Sequence, residues 1–367
     1  MASSVMLMAL RLGRGRMLGL SRLESFRSRA RLPTIRHMDA VESDGPRMLG
    51  ELDLAIVHTL QIDARAPWTR VAAAVGADAA TVARHWQALR DESLAWLTAW
   101  PTPERWSSTT DVAVVLLDPR TTPAVIDEVA ARPWALSLDE TSAGCLALVA
   151  GAGGLPLLGE RVREIAALGA RVRRMDVAAA IIAEDSEWRL RVLSRQQQRV
   201  LRDAGRPDEA RPPRPDVVAE LAEVLDDDPR MPAAAVAKAL GVSEATARRT
   251  VDRAVFAGQL RLGCDLAMPA AGYRRGAVLW ARAADADGAA GLAARLPEAH
   301  RVGILVGRAP LFVCVRARSL TDLQRIEMSW GSEVEVVDRW TVLRSIKRNG
   351  HLLDAEGRSA GRVPLRW

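Results

Sequence analysis

An internal repeat is the feature that most restricts how this chain can fold. Shifted by 165 residues, the sequence aligns with itself, and near its end the shift becomes 162. Chance produces apolar matches in a chain rich in alanine and valine, but it rarely places glycine, proline, aspartate and threonine in one register. We therefore predict one structural unit that occurs twice. Matched pairs include Asp63 with Asp228, Arg65 with Arg230, Pro67 with Pro232, Gly76 with Gly241, Thr81 with Thr246, Arg84 with Arg249 and Asp176 with Asp338.

The first part of each unit has helical periodicity. Apolar residues recur at spacings of three and four from Leu52 to Leu60, which indicates an amphipathic helix. Pro67 suits the start of a second helix, Gly76 its end, and Asp78 the cap of a third helix. Three helices with a glycine turn before the third predict a helix-turn-helix. The second unit repeats the pattern with Val217–Leu225, Pro232–Leu240, Gly241 and a helix capped by Ser243.

The second part of each unit predicts strand, helix, strand, strand, helix and strand. This is the order of a ferredoxin-like sandwich. The fold class is therefore α+β, with two winged-helix-type helix-turn-helix domains that are each followed by a ferredoxin-like βαββαβ sandwich. In the first unit the segments are 111–118, 122–132, 135–140, 144–151, 157–168 and 170–181, and the second unit has them in the same order from 277 onward.

Domain boundaries follow from the repeat and from changes in composition. Residues 206–215 (RPDEARPPRP) are typical of an extended proline-rich linker between the two units. The prediction assigns 1–47 to a disordered basic tail or a mis-assigned start, 48–100 to the first helix-turn-helix, 108–184 to the first sandwich, 185–215 to a helix and linker, 216–262 to the second helix-turn-helix, 273–345 to the second sandwich and 346–367 to a C-terminal tail.

The third-helix segments resemble the Lrp/AsnC family of transcriptional regulators. LGVSEATARRTVDRAVFAG (240–258) and VGADAATVARHWQALRDES (75–93) follow the family motif LG-x-S-x-x-T-V-x-x-R with a later E-x-G. The family places a ferredoxin-like domain directly after the helix-turn-helix, so the resemblance extends over most of 48–345, in a tandem-duplicated form. The second segment keeps Leu240, Gly241, Ser243, Thr246, Arg249 and Gly258, whereas the first keeps Gly76, Thr81, Val82 and Glu92 but departs at Val75, Asp78, His85 and Ser93.

The resemblance implies that double-stranded DNA is the partner and that the third helices contact it. Serine and threonine can bond phosphates or base edges, and arginine can bind guanine with two hydrogen bonds. The alternatives are a helix cap for Ser243 and a solvated helix face for each arginine. The predicted DNA-binding residues are Thr81, Arg84, His85 and Arg90 in the first unit, and Ser243, Glu244, Thr246, Arg248, Arg249, Thr250 and Arg253 in the second.

Charge ranks the two predicted reading helices. Of the net charge of +6, nine arginines against four acidic residues place +5 in residues 1–47, so the rest of the chain is almost neutral. Residues 243–257 sum to +1 and residues 78–92 to −1. Because DNA is a polyanion, we expect the second helix-turn-helix to be the better reader.

The sandwich domains are expected to pair. Two sandwiches in one chain could form a pseudo-dimer within the chain, and association between chains into a homo-oligomer fits the sequence equally well. In the Lrp/AsnC family this domain also senses amino acids or other small molecules. The turns TSAGCLAL (141–148) and GRAPLFVC (307–314) lack the aspartate that usually follows the family's glycine, so no effector-binding residue is assigned.

Other chemistry finds little support in the sequence. Cys145, Cys264 and Cys314 form no CxxC pair, and no two histidines have a ligand spacing, so no metal, cofactor or disulfide is expected. No serine, cysteine or lysine lies in a nucleophile motif, so no catalytic residue is assigned. No apolar run approaches the roughly 20 residues that span a bilayer, and the predicted location is the cytoplasm.

Two alternatives to a regulator remain. Sirohaem decarboxylases resemble Lrp/AsnC proteins and also work as paired copies, but they need cationic and imidazole groups around a polycarboxylated tetrapyrrole. Only His300 lies in either sandwich, without an equivalent in the other. The second alternative is an assembly scaffold that does not bind DNA, which the net charge of −2 in each helix-turn-helix segment (48–98 and 216–261) suggests. The prediction is a regulator and not an enzyme.

Overall fold

A computed structural model describes residues 47–102, 110–202 and 212–366, so most of the predicted tail (1–47) and of the proline-rich run lies outside the described residues. We call 47–202 the N-terminal half and 212–366 the C-terminal half. The N-terminal half contains α1 (Glu51–Ile62), α2 (Trp68–Val75), α3 (Ala79–Asp91), β1 (Ala95–Pro101), β2 (Thr110–Leu117), α4 (Pro123–Ala130), β3 (Ala135–Thr141), β4 (Gly144–Ala152), α5 (Leu155–Ala167), β5 (Val172–Ala183) and α6 (Arg195–Arg202). The C-terminal half contains α7 (Pro215–Leu225), α8 (Ala233–Leu240), α9 (Glu244–Phe256), β6 (Leu260–Leu266), β7 (Arg275–Ala283), α10 (Ala286–Ala293), β8 (Ala299–Val306), β9 (Leu311–Ala317), α11 (Leu320–Met328), β10 (Val334–Arg348), β11 (His351–Leu353) and β12 (Ser359–Arg362).

Each half begins with a three-helix unit whose turn depends on glycine. Gly76 ends α2 with φ at 73°, and Gly241 ends α8 with φ at 67°. A residue with a Cβ atom is destabilised in this left-handed conformation, whereas glycine is not. We call α1–α3 the N-terminal helical unit and α7–α9 the C-terminal helical unit. The predicted helices, glycine turns and capping residues Asp78 and Ser243 all occur at the expected positions.

The strand after each helical unit differs from the winged-helix prediction. A wing is a hairpin within one domain, but β1 and β6 pair with each other along their whole length, from Ala95 opposite Leu266 to Pro101 opposite Leu260. In the described residues neither strand has another partner in its own helical unit. A single strand must satisfy its backbone groups with a neighbour, and here the neighbour comes from the other half of the chain.

The two βαββαβ segments join into one closed set of eight antiparallel strands, which we call the strand ring. Within the N-terminal half the strand order is β3-β4-β2-β5, and within the C-terminal half it is β8-β9-β7-β10. The long fourth strands connect the two sheets. Strand β5 pairs first with β2 and then with β8, and β10 pairs first with β7 and then with β3. Both sheets therefore lose their free edges.

Alternate residues of the ring strands face two different cores. In β2, Val112, Val114 and Leu116 face an inner cluster shared by both halves, whereas the residues between them pack under α4 and α5. The C-terminal half contributes Trp280 and Phe312 to the inner cluster, with ring centroids 5.1 Å apart. Burial on both sides explains why these strands are almost continuously apolar.

The end of the chain differs from the predicted C-terminal tail at 346–367. Residues up to Arg348 continue β10, and β11 and β12 form a hairpin at the end of the sheet, which we call the C-terminal hairpin. Lys347 is fully buried, and its Nζ donates to the Arg132 carbonyl oxygen at 2.7 Å. Burial lowers the pKa of Lys347 to about 7. The sequence of this segment is polar, and its partners lie on β3 and β6, far away in the chain. Its place in the sheet therefore does not show in the sequence.

The segment after β5 braces the N-terminal helical unit. Helix α6 packs against α2 with Leu201 and Ala74 in a shared cluster. Buried His58 of α1 accepts hydrogen bonds at Nδ1 from the backbone N–H groups of Val192 and Leu193, at 3.1 and 3.0 Å. Burial and the nearby charges of arginines lower the pKa of His58 to about 4, so its ring is neutral at pH 7 and can accept them.

Two further classes of feature are missing from the described ranges. Within 47–102, 110–202 and 212–366, no helix has both the length and the apolar character needed to cross a membrane. Over the same ranges no group of histidine, cysteine, aspartate or glutamate side chains is placed to hold a metal ion. The three cysteines are buried and not disulfide-bonded.

Candidate nucleic-acid interface

Helix α9 of the C-terminal helical unit has one buried and one exposed face. Ala247, Val251 and Ala254, at spacings of four and three, pack into the core of the unit. The 3.6-residue period then turns Arg248 and Arg249 towards solvent, and both are exposed. The predicted contacts of α9 thus divide into this exposed face and a partly buried flank with Thr246, Thr250 and Arg253.

The hydroxyl groups of α9 serve the helix itself. Ser243 is the N-cap, and its Oγ accepts the Thr246 backbone N–H at 3.2 Å and lies 2.9 Å from Thr246 Oγ1. Thr250 donates its hydroxyl to the carbonyl oxygen of Thr246 at 2.8 Å. The capping role considered for Ser243 is therefore present in the structure. An exposed N-cap can still contact a phosphate, because a helix N-terminus attracts anions.

The arginines of α9 differ in their partners. Arg248 forms an ion pair with Glu244 one turn earlier, at 3.0 Å. Arg249 has no carboxylate partner among the described residues, and its nearest polar contact is the Thr246 hydroxyl at 3.5 Å. Arg253 likewise has no ion pair in the described ranges. An exposed guanidinium without a carboxylate can bind a phosphate or a guanine without breaking an internal pair, so Arg249 is the strongest candidate contact.

Helix α3 of the N-terminal helical unit has the same arrangement, with more negative charge around it. Val82, Trp86 and Leu89 form its buried face, and Arg84 and Arg90 are exposed. Like Arg249, Arg84 contacts only a threonine hydroxyl, that of Thr81 at 3.4 Å, and neither Arg84 nor Arg90 has an ion pair in the described ranges. Thr81 donates its backbone N–H to the capping Asp78, and hydrogen bonds from Thr81 lower the pKa of that carboxyl. Nearby Asp91 and Glu92 add negative charge, and Asp91 accepts a hydrogen bond from Gln87.

His85, also a predicted DNA contact, has an internal partner. Its Nδ1 lies 2.7 Å from Oδ1 of Asp53, a buried carboxylate on α1. The ring is about one third exposed. This pair ties α3 to α1 and leaves only the far edge of the imidazole available for a ligand. The equivalent position in α9 is Thr250, so the two helices differ here.

A reciprocal contact between the helical units was not predicted as functional. Arg65 donates to the carbonyl oxygens of Pro229 and Met231 at 2.6 and 2.9 Å, and Arg230 donates to that of Ala64 at 2.9 Å. Arg230 also lies over the ring of Trp68, 4.1 Å from its centroid. The matched pair Arg65 and Arg230 in the repeat was the available signal, because each guanidinium reaches carbonyl oxygens next to the other arginine.

A buried charge cluster lies where the ring meets the segment after β5. The Asp185 side chain is buried and contacts Arg301, Arg316 and His300, the last at 2.7 Å. Burial opposes ionisation of Asp185, but the positive charges around it outweigh this effect and hold the pKa of the carboxyl well below its usual value. Burial and the charge of Arg316 lower the pKa of His300 to about 4. His300, the histidine predicted to lie in a sandwich, is thus committed to an internal contact.

Comparison with known proteins identifies one domain. The sequence profile of the AsnC-type helix-turn-helix domain matches residues 49–90, which lie over α1–α3. No curated protein matches the chain. The N-terminal helical unit is therefore an AsnC-type helix-turn-helix, which suggests a DNA-binding protein.

Several solved structures are similar at low sequence identity. The sirohaem decarboxylase NirDL, in complex with an iron-uroporphyrin III analogue, is 14% identical over 82% of this chain and 93% of its own, with a TM-score of 0.49. AsnC of E. coli is 24% identical over 34% of this chain and 89% of its own, with a TM-score of 0.30. The regulator NMB0573 of Neisseria meningitidis, in complex with L-Met, is 15% identical over 36% of this chain and 88% of its own, also with a TM-score of 0.30.

Proposed function

We propose that this protein is a sequence-specific DNA-binding transcriptional regulator of the Lrp/AsnC type, in a tandem-duplicated form. The AsnC-type helix-turn-helix at 49–90 is the observation that carries the proposal. The C-terminal helical unit supports it, because its element order, left-handed glycine turn and capped third helix are the same. In this proposal the two halves act as a pseudo-dimer that carries two reading helices in one chain.

The two reading helices contribute unequally in this proposal. Arg249 on α9 and Arg84 on α3 are both exposed without a carboxylate partner in the described ranges. Helix α3, however, has the acidic neighbours Asp91 and Glu92, and its His85 is held by Asp53. We infer that α9 supplies most of the base-specific contacts and that α3 adds weaker ones. Unequal reading helices suit an operator that is an imperfect palindrome.

The experiment that tests the function is a gel shift of the full chain on the region upstream of its own gene, with a salt series. We expect selective retention over an unrelated fragment of equal length, and an affinity that falls steeply with salt because counterions are released. Loss of all binding at about 50 mM salt, where phosphate contacts are strongest, contradicts the regulator and favours the scaffold.

The enzyme alternative makes a different prediction. The cavity that His300 lines has a volume of about 110 Å³. A cavity of about 150 Å³ holds benzene, so a tetrapyrrole macrocycle does not fit in this one. We therefore place the regulator first. Titration of the purified protein with an iron-uroporphyrin decides between the two, because saturable binding with a shifted absorbance band and release of carbon dioxide supports the decarboxylase.

A further inference from the structure

The two sandwich segments carry opposite charges at equivalent exposed positions. Strands β5 and β10 begin at residues that match at the shift of 162 in the repeat. Arg171 and Arg173 flank the first residue of β5, whereas Glu333 and Glu335 flank the first residue of β10. All four residues are exposed, and the two of each pair are two positions apart, which places them on one face of the strand. Because the strands are built alike at both places, their packing requires neither charge.

The arginines beside β5 belong to a groove that we call the basic patch. Arg171 and Arg173 line it together with Asp118 and Arg120 of the loop after β2. Within the described residues none of the three arginines forms an ion pair. The Asp118 carboxylate accepts the backbone N–H of Arg120 at 2.9 Å, so it is engaged in its own turn. Three arginines against one aspartate leave the basic patch positively charged.

The equivalent place in the C-terminal half is what we call the acidic patch. Glu333 and Glu335 lie at the start of β10, which pairs with the end of β7, and the loop after β7 adds the exposed Asp285 and Asp287. Asp285 also caps α10. Arg282 of β7 lies near these carboxylates, 4.0 Å from Glu335. Four acidic residues against one arginine leave the acidic patch negatively charged.

Opposite charge at equivalent places points to a partner that the chain itself supplies. A polyanion such as DNA would favour positive charge in both halves, and solubility alone needs no reversal of sign. Over 47–102, 110–202 and 212–366, no ion pair joins the basic patch to the acidic patch. A second copy of this chain offers both surfaces, and guanidinium groups without counterions suit exposed carboxylates.

We propose that copies of this chain associate head to tail, with the basic patch of one copy against the acidic patch of the next. The contact is heterologous, because it joins two different surfaces. An assembly of two copies still has one free patch of each kind, so association continues past a dimer unless the copies close into a ring. This contact does not depend on the DNA-binding function proposed above.

The contact is held by charge and is therefore sensitive to salt. Exposed ion pairs are individually weak, and the Debye length decreases from about 30 Å at 0.01 M salt to about 8 Å at 0.15 M. We expect a dissociation constant of about 100 µM or lower at about 10 mM salt, and at least about tenfold weaker association at about 150 mM.

Analytical ultracentrifugation of the full chain, freed of nucleic acid, measures this association. The weight-average mass should rise beyond that of a dimer as the protein concentration increases to about 200 µM at low salt. A mass that stays constant over this range overturns the proposal. Association that is unchanged at about 150 mM salt overturns it as well, because a contact between exposed charges is screened there.

Charge reversal tests whether the two patches bind each other. The basic-patch variant Arg171→Glu/Arg173→Glu and the acidic-patch variant Glu333→Arg/Glu335→Arg should each self-associate at least about tenfold more weakly than the wild type. A mixture of the two should associate within about threefold of the wild type, because one variant then has two acidic patches and the other two basic ones. An isologous contact between identical surfaces does not predict this recovery.

The matched control is Arg195→Glu/Arg199→Glu on α6, which makes the same change in charge at exposed positions outside both patches. It should associate as the wild type does, and circular dichroism checks that every variant is folded. The head-to-tail contact is overturned if either patch variant self-associates as tightly as the wild type, or if the mixture does not recover. Loss of association in the acidic-patch variant alone also overturns it, because the acidic patch then binds a different cationic segment, such as the arginine-rich residues 1–46.

Discussion

The two helical units have the same elements but different surroundings. The N-terminal helical unit is held by α6 and by hydrogen bonds from the backbone to His58, and α3 is tied to α1 by His85 and Asp53. The C-terminal helical unit is held instead from the end of the chain, where Arg362 pairs with Asp226 and Asp227, and Arg366 pairs with Glu223 of α7. The N-terminal brace is thus a buried histidine and a packed helix, whereas the C-terminal brace is a set of more exposed ion pairs.

The helical unit that matches the family profile is not the one whose third helix has the more favourable charge for DNA. The profile of the AsnC-type domain matches the N-terminal helical unit, yet the local net charge favours α9. A helix can keep the core residues that define a domain while its surface loses the positive charge that DNA needs. The ranking of the two reading helices stays a prediction.

The largest effect is expected where the fourth strands of the two halves end differently. Strand β5 ends at Ala183, and just after it the Asp185 side chain is buried among arginines. Strand β10 is longer and contains the buried Lys347, which follows Asp185 by 162 residues and so holds the equivalent place in the repeat. Asp185→Asn should lower the free energy of unfolding by about 3–5 kcal/mol, because it leaves buried guanidinium groups uncompensated.

The matched control for Asp185 is Lys347→Met. Lys347 has no carboxylate partner in the described ranges, so its replacement should be neutral or stabilising at pH 7. Urea unfolding of both variants measures the two values. Equal destabilisation would show that the two strand ends are equivalent in energy, contrary to the structure.

The next effect concerns the brace of the N-terminal helical unit. His58→Leu removes the acceptor of two buried N–H groups and should destabilise the chain by about 2–4 kcal/mol at pH 7. Glu223→Leu, at the equivalent position of α7, is exposed and should change stability by less than about 1 kcal/mol. Urea unfolding with the same probe measures both, and similar values would refute the difference in bracing.

The same variant gives a pH dependence of known sign. The pKa of His58 is about 4 in the folded chain and 6.5 ordinarily, so the unfolded chain binds more protons between these values. The contribution of neutral His58 is complete above pH 6.5 and decreases as the pH falls towards 4. The stability difference between wild type and His58→Leu should therefore narrow over this range, and a constant difference would contradict the buried neutral ring.

DNA binding tests the ranking of the reading helices directly. Arg249→Ala should raise the dissociation constant for the operator about 30-fold, as loss of a base contact of about 2 kcal/mol requires. Arg84→Ala, its repeat equivalent, should raise it by less than about threefold. Fluorescence anisotropy across a salt series measures both dissociation constants. Arg308→Ala, which removes an exposed arginine outside both helical units, is the control. Equal effects of the first two substitutions would refute the ranking.

The smallest effect should be symmetrical. Arg65→Ala and Arg230→Ala each remove hydrogen bonds to carbonyl oxygens of the opposite helical unit, and each should cost about 1–2 kcal/mol in unfolding free energy. We expect similar values, because Arg65 loses two such hydrogen bonds, whereas Arg230 loses one together with its contact with Trp68. A large effect of one variant with none from the other would show that the two units are not held by a reciprocal contact.

The helices, turns and strands of both halves could be predicted from the sequence alone. Gly76 and Gly241, the capping Asp78 and Ser243, and the apolar strands carry signals within a few residues of one another, so helices, turns and strand order follow from periodicity and capping. The repeat also marked Arg65 and Arg230 as a pair, without indicating what they contact. The ranking of α9 over α3 came from local charge alone.

The pairing of distant segments is visible only in the tertiary structure. The pairing of β1 with β6, the closing of the strand ring by β5 and β10, and the folding of residues 346–366 onto the sheet join segments far apart in the chain. No local pattern encodes such pairings, because a strand shows that it needs a partner but not which one it will find. For the same reason the burial of Lys347 and the committed roles of His58, His85 and His300 became visible only in the folded chain.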